Sequence, residues 1–193
     1  MRETVLERST KETDIRIGLN LDRPGEGKID TGLGFLDHML NLFAFRAGIT
    51  LDVSCKGDLH IDGHHTAEDI GITLGQAIAK ALGDKRGIAR YGSASVPMDE
   101  TLVHCVLDIS GRAFLVFNAD FPCERVGDFE TELVEEFFRA VAFQAGITLH
   151  LNLAYGRNTH HIIEAMFKAF GVALRQAITQ TGSGEIPSTK GVL

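Results

Sequence analysis

The sequence has no tryptophan, only four prolines and only three cysteines among its 193 residues. The cysteines, Cys55, Cys105 and Cys123, are odd in number, widely spaced and without a CxxC pair. This pattern argues against a disulfide framework and against a zinc knuckle. We therefore expect buried or partly buried thiols in a reducing compartment, and a cytoplasmic protein.

Long apolar runs and clusters of positive charge are also missing. No apolar run approaches the ~18 residues of a membrane span, and the amino terminus carries charges where a signal peptide would be apolar. The net charge is -7, the pI is about 5.6, and no stretch is rich in lysine and arginine. We therefore predict neither a membrane nor a nucleic acid as a partner.

The chain contains an internal repeat. The stretch "AGITLDV" (47–53) recurs as "AGITLHL" (145–151), and "HHTAED" (64–69) recurs in the same order as "HHIIEA" (160–165). Two copies favour duplicated halves related by a pseudo-twofold axis, because a solenoid needs at least three. The predicted units are a first half at 1–88, a second half at 89–180 and a C-terminal tail at 181–193.

Hydrophobic periodicity predicts the same order of elements in both halves. Apolar and polar residues alternate at 14–21, as in a half-buried strand, and residues 34–46 have the apolar stripe of an amphipathic helix. Residues 102–109 and 113–118 suggest a β-hairpin. Further strands are predicted at 49–55 and 147–153, and further helices at 66–82, 129–144 and 160–180. The predicted class is α+β, with two helices on one face of a mostly antiparallel sheet in each half.

Each copy of the repeat carries two adjacent histidines followed by a glutamate. His64 and Glu68 are four residues apart, so on a helix they share a face and can bind one ion. His65 diverges from His64 by about 100° on a helix and therefore serves a second ion. The second copy has the same spacing, at His160, His161 and Glu164. Each motif is thus predicted to contribute to two metal sites.

Two more histidines interrupt apolar stretches. His38 lies in "FLDHML", and His104 lies on a predicted strand. Because burying an unused imidazole costs free energy, both are predicted to be metal ligands. Three histidines and one carboxylate per ion, with positions left for water or substrate, favour manganese, with iron, cobalt or zinc as alternatives. The absence of cysteine from the motifs argues against a structural zinc site.

The motifs "DHML", "HHTAED", "RYG" with "PMDET", "HHIIEA" and the terminal "STKGVL" resemble those of the imidazoleglycerol-phosphate dehydratase family. They cover essentially the whole chain in order; one departure is "SGRA" at 110–113, where the family usually has proline after arginine. The resemblance implies ferredoxin-like (ribosomal S5 domain 2-like) halves, two manganese ions per active site and a homo-oligomer of 24 subunits with sites at subunit interfaces. It also implies a hydro-lyase of histidine biosynthesis.

The implied reaction removes water from imidazole glycerol phosphate and gives imidazole acetol phosphate. The proton that leaves is not next to a carbonyl, so a metal-bound, imidazolate-like ring would expel the hydroxyl and form a diazafulvene. Metals would act as Lewis acids and templates. Glu12 in "TKET" and its apparent counterpart Glu100 in "MDET" are candidate proton shuttles; the resemblance favours Glu12, with Asp99 as a second possibility. Glu68 and Glu164 could also exchange between ligand and base roles.

The resemblance also implies a phosphate-binding set. It consists of Arg90, Arg112, Ser188 and Lys190, in which arginine offers a planar fork to phosphate oxygens and lysine a point charge. The tail at 181–193 is expected to close over the small-molecule phosphate substrate. Whether it does so in its own chain or in a neighbouring one is left open.

Two other classes of function compete. A dimetal hydrolase would hold two ions about 3.5–4 Å apart, usually with bridging aspartates, and no aspartate occurs among the predicted ligands. A metal-storage or metal-dependent assembly protein would use the histidines to join subunits, since metal binding can couple folding to assembly. Removal of the metal separates these cases, because catalytic ions can be lost without dissociation.

Overall fold

A computed structural model describes residues 1–193. In strand β2 (Thr13–Asn20) the side chains of Ile15, Ile17 and Leu19 are buried while the intervening residues are more exposed, so the alternation seen in the sequence faces a core. Helix α1 (Gly34–Ala47) ends where Gly48 adopts a left-handed conformation. The first half contains β1 (Glu3–Ser9), β2 (Thr13–Asn20), β3 (Ile29–Asp30), α1 (Gly34–Ala47), β4 (Thr50–Gly57) and α2 (His64–Leu82).

The second half repeats this order and adds two short strands. Gly146 ends its first helix in the same left-handed conformation as Gly48. Its elements are β5 (Tyr91–Met98), β6 (Thr101–Asp108), β7 (Phe114–Asn118), β8 (Arg125–Val126), β9 (Phe129–Glu130), α3 (Leu133–Ala145), β10 (Thr148–Tyr155) and α4 (Thr159–Ile178).

The two main sheets have the same topology. Their strand orders are β1-β2-β4-β3 and β5-β6-β10-β7, with antiparallel pairing except at the parallel last pair of each sheet. The predicted α+β class and the duplicated, ferredoxin-like halves are thereby confirmed. The predicted hairpin of 102–109 with 113–118 is wrong, because β7 pairs with β10 instead of β6. Local periodicity identified both strands but could not identify their partners.

The helices of one half pack on those of the other half. Helix α1 contacts α4, and α2 contacts α3, with all of them contributing to one core of 49 buried residues. Glycines permit the close approach, since a Cβ at Gly71 would lie 2.8 Å from the Phe137 carbonyl oxygen and one at Gly171 would lie 2.7 Å from that of Phe43. The result is a layer of helices between two sheets.

All four helices begin at the same end of this layer. A Cβ at Gly63, just before α2, would lie 3.1 Å from Leu133 and 3.4 Å from Leu33, which precede or begin α3 and α1. Near the starts of α1 and α4, His38 approaches Glu164. We call this end the histidine pole, and the end where α4 finishes the opposite pole.

The C-terminal tail contains no helix or strand, and a single bridge between Ile88 and Gln180 lies just before it. It is anchored at the opposite pole, where the Gly87 N–H donates to the Glu185 carbonyl over 2.8 Å. Cys55 and Cys105 are buried and Cys123 is exposed, and all three are free thiols. None of the helices is long and apolar enough to cross a membrane.

Candidate metal centre

Both histidine pairs occupy the first turn of a long helix. Asn158 caps α4, and its side-chain oxygen accepts a hydrogen bond from the His161 N–H. At α2, the Asp62 carboxylate accepts from the His64 N–H over 2.8 Å. Polar residues just before each apolar helix therefore determine where the helix starts and hold the imidazoles at its exposed end.

Three donor atoms converge at the start of α4. The Nε2 atoms of His38 and His160 lie 3.5 and 3.2 Å from Glu164 Oε2, and all three donors are within 4.8 Å of one another. Ligands about 2.0–2.2 Å from a transition metal are separated by about 3–4 Å. The set of two imidazoles and one carboxylate therefore fits a divalent ion with little movement. His38 comes from the first half and the other two residues from the second.

Glu164 is held in place by a lysine that the motif did not reveal. Its carboxylate is only 8% exposed and forms an ion pair with Lys168, one turn later on α4. Burial acts to raise the pKa of Glu164, but the Lys168 ammonium and the His160 ring outweigh it, so the pKa lies below its usual value. The i, i+4 spacing of Glu164 and Lys168 was the signal in the sequence that could have identified this pair.

The start of α2 carries a more open version of the same arrangement. His64 Nε2 lies 3.8 Å from Glu68 Oε2, and the Glu68 side chain is 43% exposed. The internal repeat aligns His38 with Glu136, since each lies ten residues before the glycine that ends its helix. Helix α3 runs alongside α2, and Ala140 packs against Gly71. Glu136 lies one turn before Ala140 on α3, and Glu68 lies about one turn before Gly71 on α2, so the two glutamates are at the same level. Sequence reasoning missed Glu136 because it considered only histidines as additional ligands.

The second histidine of each pair is oriented by a carboxylate. His65 Nδ1 donates to Asp58 over 2.9 Å, and His161 Nδ1 donates to Glu100 over 2.8 Å. The hydrogen bond to Asp58 raises the pKa of His65. The hydrogen bond from His161, together with backbone N–H groups, lowers the pKa of Glu100 to about 2. In each ring Nε2 is left to face outward, the arrangement expected of a metal-binding histidine.

Each outward nitrogen has a second carboxylate nearby. His65 Nε2 lies 3.7 Å from Glu12, and His161 Nε2 lies 3.9 Å from Asp99. The structure therefore brings Glu12 and Asp99, two of the predicted acid/base candidates, each beside an imidazole, one in each half. Asp99 has a left-handed backbone (φ 48) at the turn between β5 and β6. Asp58 was not predicted, and no motif in its loop indicates it.

His104 lies apart from both histidine pairs. On β6 the side chains of Val103 and Cys105 are buried, while His104 points to the opposite face, where its Nδ1 lies 2.8 Å from the Ser95 hydroxyl. Helix α4 contacts the buried face of this sheet, so the sheet separates His104 from His160 within one chain. Strand alternation by itself accounts for the histidine in this apolar run, and the predicted ligand role of His104 stays a prediction.

The predicted phosphate-binding residues lie at the opposite pole. Arg90 forms an ion pair with Asp108 at 2.7 Å and donates to the Pro187 carbonyl oxygen at 2.8 Å. Arg112 lies 3.5 Å from the same aspartate. The structure thus brings the two arginines together with the start of the segment that contains the remaining two predicted residues, Ser188 and Lys190.

This cationic cluster is far from the histidines of its own chain. The Arg90 N–H donates to the Ala177 carbonyl oxygen near the end of α4, whereas His160 lies in the first turn. At about 1.5 Å per residue, the two ends of the helix are on the order of 25 Å apart. The two histidine pairs also do not form one cluster, because only His38, His160 and Glu164 converge.

The fold and these donor sets define a duplicated α+β protein with a candidate divalent-metal site at one pole. The imidazoleglycerol-phosphate dehydratase sequence model matches residues 31–174. The imidazoleglycerol-phosphate dehydratases of Acetivibrio thermocellus and Exiguobacterium sp. are 61% and 58% identical to the chain, over 100% and 99% of its length and 99% and 98% of theirs. The chain belongs to the imidazoleglycerol-phosphate dehydratase family.

Two solved structures extend the similarity to the fold. The imidazoleglycerol-phosphate dehydratase of Staphylococcus aureus superposes with a TM-score of 0.85 at 47% identity, covering 93% of this chain and 99% of its own. The enzyme from Pyrococcus furiosus, solved in complex with (S)-C348, also gives 0.85, at 39% identity and with 97% and 100% covered. Both halves of the chain are therefore accounted for by the family fold.

Proposed function

We propose that the protein catalyses the metal-dependent dehydration of imidazole glycerol phosphate to imidazole acetol phosphate, a step of histidine biosynthesis, in the cytoplasm. The observation that carries this proposal is the convergence of His38, His160 and Glu164 in a member of this family. Imidazole and carboxylate donors in this combination suit a borderline divalent metal. Manganese is the metal proposed, with two ions for each active site.

The ligand sets follow from the geometry of each helix start. His38, His160 and Glu164 would hold one ion, and His64 with Glu68 would hold the other. We add Glu136 to the second set, because the repeat aligns it with His38 and helix packing sets it level with Glu68. Its carboxylate, which lies 3.6 Å from Arg139 Nε, would turn toward the ion. Because the sheet separates His104 from His160 within one chain, we predict that His104 binds a metal ion only in the site of a neighbouring chain. When bound, the ions supply Lewis acids that draw electron density from the imidazole ring of the substrate.

The proton transfers require carboxylates that remain free of the metals. Glu100 cannot easily serve, because His161 and two backbone N–H groups already hold it as an anion. Glu12 and Asp99 are free of such contacts and lie beside an outward Nε2. We assign Glu12 as the general acid/base and Asp99 as the group that assists on the other side of the ring.

More than one chain is needed to complete this site. The phosphate-binding cluster and the histidines of one chain are on the order of 25 Å apart, which is longer than the substrate. His65 and His161 also stand outside the donor sets proposed within one chain, and their Nε2 atoms would bind ions completed by a neighbouring chain. We therefore propose a homo-oligomer with active sites between subunits, to which the Arg90 cluster of one chain and the histidine pole of another contribute. The 24-subunit assembly implied by the resemblance is consistent with this arrangement.

The test is turnover of imidazole glycerol phosphate by metal-free protein before and after manganese is restored. Mass spectrometry should detect a product lighter by one water only after restoration. Absence of product at full manganese occupancy would contradict the proposed reaction. Release of inorganic phosphate would instead indicate the dimetal hydrolase.

Sedimentation of the same metal-free sample separates catalysis from assembly. If the protein stays assembled but inactive, the ions are catalytic. If it dissociates, the ions also hold the subunits together, as in a metal-dependent assembly protein. A Glu136→Ala variant should lose about half of the bound manganese, while full occupancy would remove Glu136 from the ligand set.

A further inference from the structure

One more cation lies in the cluster at the opposite pole. Lys85 follows the end of α2, and its Nζ lies 3.5 Å from the point where a Cβ would stand at Gly111. Gly111 directly precedes Arg112, and the Lys85 ammonium is close enough to Arg90 and Asp108 to be affected by both charges. Lys85, Arg90 and Arg112 therefore lie around a single carboxylate, that of Asp108, in a protein whose net charge is -7.

Lys85 has no acidic partner of its own. Arg90 and Arg112 both pair with Asp108, whereas no carboxylate lies within 4.0 Å of the Lys85 ammonium. Burial, followed by the Arg90 charge, lowers the pKa of Lys85, although Asp108 acts in the other direction. A half-buried ammonium beside another cation is unfavourable unless an anion compensates it. The cluster is thus short of negative charge.

The backbone at Lys85 is also unusual. Its φ is +61°, and Arg90 has a φ of +74°. Glycine and asparagine adopt this region at lower cost than lysine or arginine, and such outliers concentrate at binding sites.

Gly111 leaves the space beside the Lys85 ammonium open. A Cβ at Gly111 would lie 3.5 Å from Lys85 Nζ and 3.0 Å from the Leu193 backbone carbon, so a side chain there would fill this space. The opening lies next to Arg112, the residue that follows Gly111. A phosphate oxygen placed there would accept charge-assisted hydrogen bonds from both cations.

We propose that Lys85 binds the substrate phosphate together with Arg90 and Arg112. This inference rests on the proposed function, since it names a further residue for the same site. The lysine would supply a mobile point charge, while the two arginines, held by Asp108, supply fixed planar donors. Because the phosphate does not react, Lys85 would contribute to substrate binding and not to bond breaking.

The test compares three variants of the assembled, manganese-containing enzyme. Lys85→Asn removes the charge but tolerates the left-handed backbone, Lys85→Arg retains the charge, and Arg86→Asn removes a neighbouring exposed cation as a control. A lost charged hydrogen bond corresponds to about 10- to 100-fold in binding. Lys85→Asn should raise KM and the inhibition constant of inorganic phosphate by that factor, with kcat changed by less than about threefold.

The control variants distinguish loss of the Lys85 charge from a structural effect of the substitution. Lys85→Arg and Arg86→Asn should keep both constants within about threefold of the unchanged enzyme. Unchanged KM and unchanged phosphate inhibition in Lys85→Asn would overturn the inference, as would an equal loss in Lys85→Arg and Lys85→Asn. If the unchanged enzyme itself shows no turnover, the proposed function fails instead, and inorganic phosphate binding measured by calorimetry still tests Lys85.

Discussion

The two histidine-bearing helix starts are copies of one arrangement, yet they differ in how tightly they are held. At α4 the glutamate is buried, paired with Lys168 and already in contact with His38. At α2 the corresponding Glu68 is half exposed, and the position of Lys168 is occupied by Ile72. The donor atoms of the α4 set therefore already converge, whereas those of the α2 set are more open.

Carboxylates at equivalent positions of the two halves do not have equivalent roles. Glu12 and Glu100 occupy matching places before β2 and β6, but Glu100 orients His161, a role that Asp58 performs for His65. Glu12 stands instead beside the outward nitrogen, as Asp99 does in the other half. The two halves therefore have imidazoles at equivalent positions, whereas carboxylates at equivalent positions make different contacts.

The largest effect is expected from exchanging these two glutamates for glutamine. Glu12→Gln should reduce kcat by about 10²- to 10⁴-fold with manganese content unchanged, because a general acid/base is lost. Glu100→Gln should weaken manganese binding by about 10- to 100-fold, because His161 loses its orienting carboxylate. Steady-state kinetics and metal analysis distinguish the two outcomes. Equal losses of metal in both variants would show that the two glutamates share a role.

An intermediate effect is expected from removing Lys168. In the metal-free protein, Lys168 keeps the pKa of Glu164 low against the opposing effect of burial, so the carboxylate stays ionised at lower pH. Lys168→Met should raise this pKa, and protons should then compete with manganese over a higher pH range. We expect about 10- to 100-fold weaker manganese binding near pH 5 and a smaller loss near pH 8. Calorimetric titrations at the two pH values would measure this difference.

Two control variants test whether the charge of Lys168 causes this pH dependence. Lys168→Arg retains the charge and should bind manganese with nearly the original pH dependence. Glu68→Gln at α2 should not alter the pH dependence of the α4 site. A pH-independent loss in Lys168→Met would mean that the lysine supports packing and not the charge of Glu164.

The smallest effect concerns the arginines before the first strand of each half. Arg2 pairs with Asp22 at 2.7 Å as Arg90 pairs with Asp108, but Arg2 lies outside the phosphate cluster. Arg2→Met should cost up to about 1 kcal/mol in the free energy of unfolding and leave KM unchanged. Urea unfolding and kinetics would measure both. A raised KM would contradict the assignment of phosphate binding to the Arg90 end alone.

The Arg2–Asp22 pair also predicts a dependence of stability on pH. Hydrogen bonds from Arg2 lower the pKa of Asp22 in the folded protein. Its stabilising contribution is therefore complete above the unfolded pKa of about 3.9 and is lost as the pH falls through the folded pKa. The stability difference between Arg2→Met and the unchanged protein should shrink as the pH is lowered below about 4. A constant difference would contradict this linkage.

Much of the fold and part of the site could be predicted from local patterns. The helices at α1, α2 and α4 began and ended within a few residues of their predicted bounds, because apolar periodicity and terminal glycines act locally. The hairpin error and the position of His104 share one cause. The alternation of residues along a strand predicts that a side chain points away from the core. It does not predict which strand pairs with this one, or which face of the sheet a helix covers.

The sequence by itself determined the duplication, the α+β class and the one-face placement of His160 with Glu164 and of His64 with Glu68. These follow from repetition and from 3.6 residues per helical turn, whatever surrounds the helix. Only the tertiary structure decided that His38 joins the α4 set, that Asp58 orients His65 and that Lys85 lies beside Arg112. Those contacts depend on how the two halves interlock, and residues distant in sequence meet there because a shared core buries both halves at once.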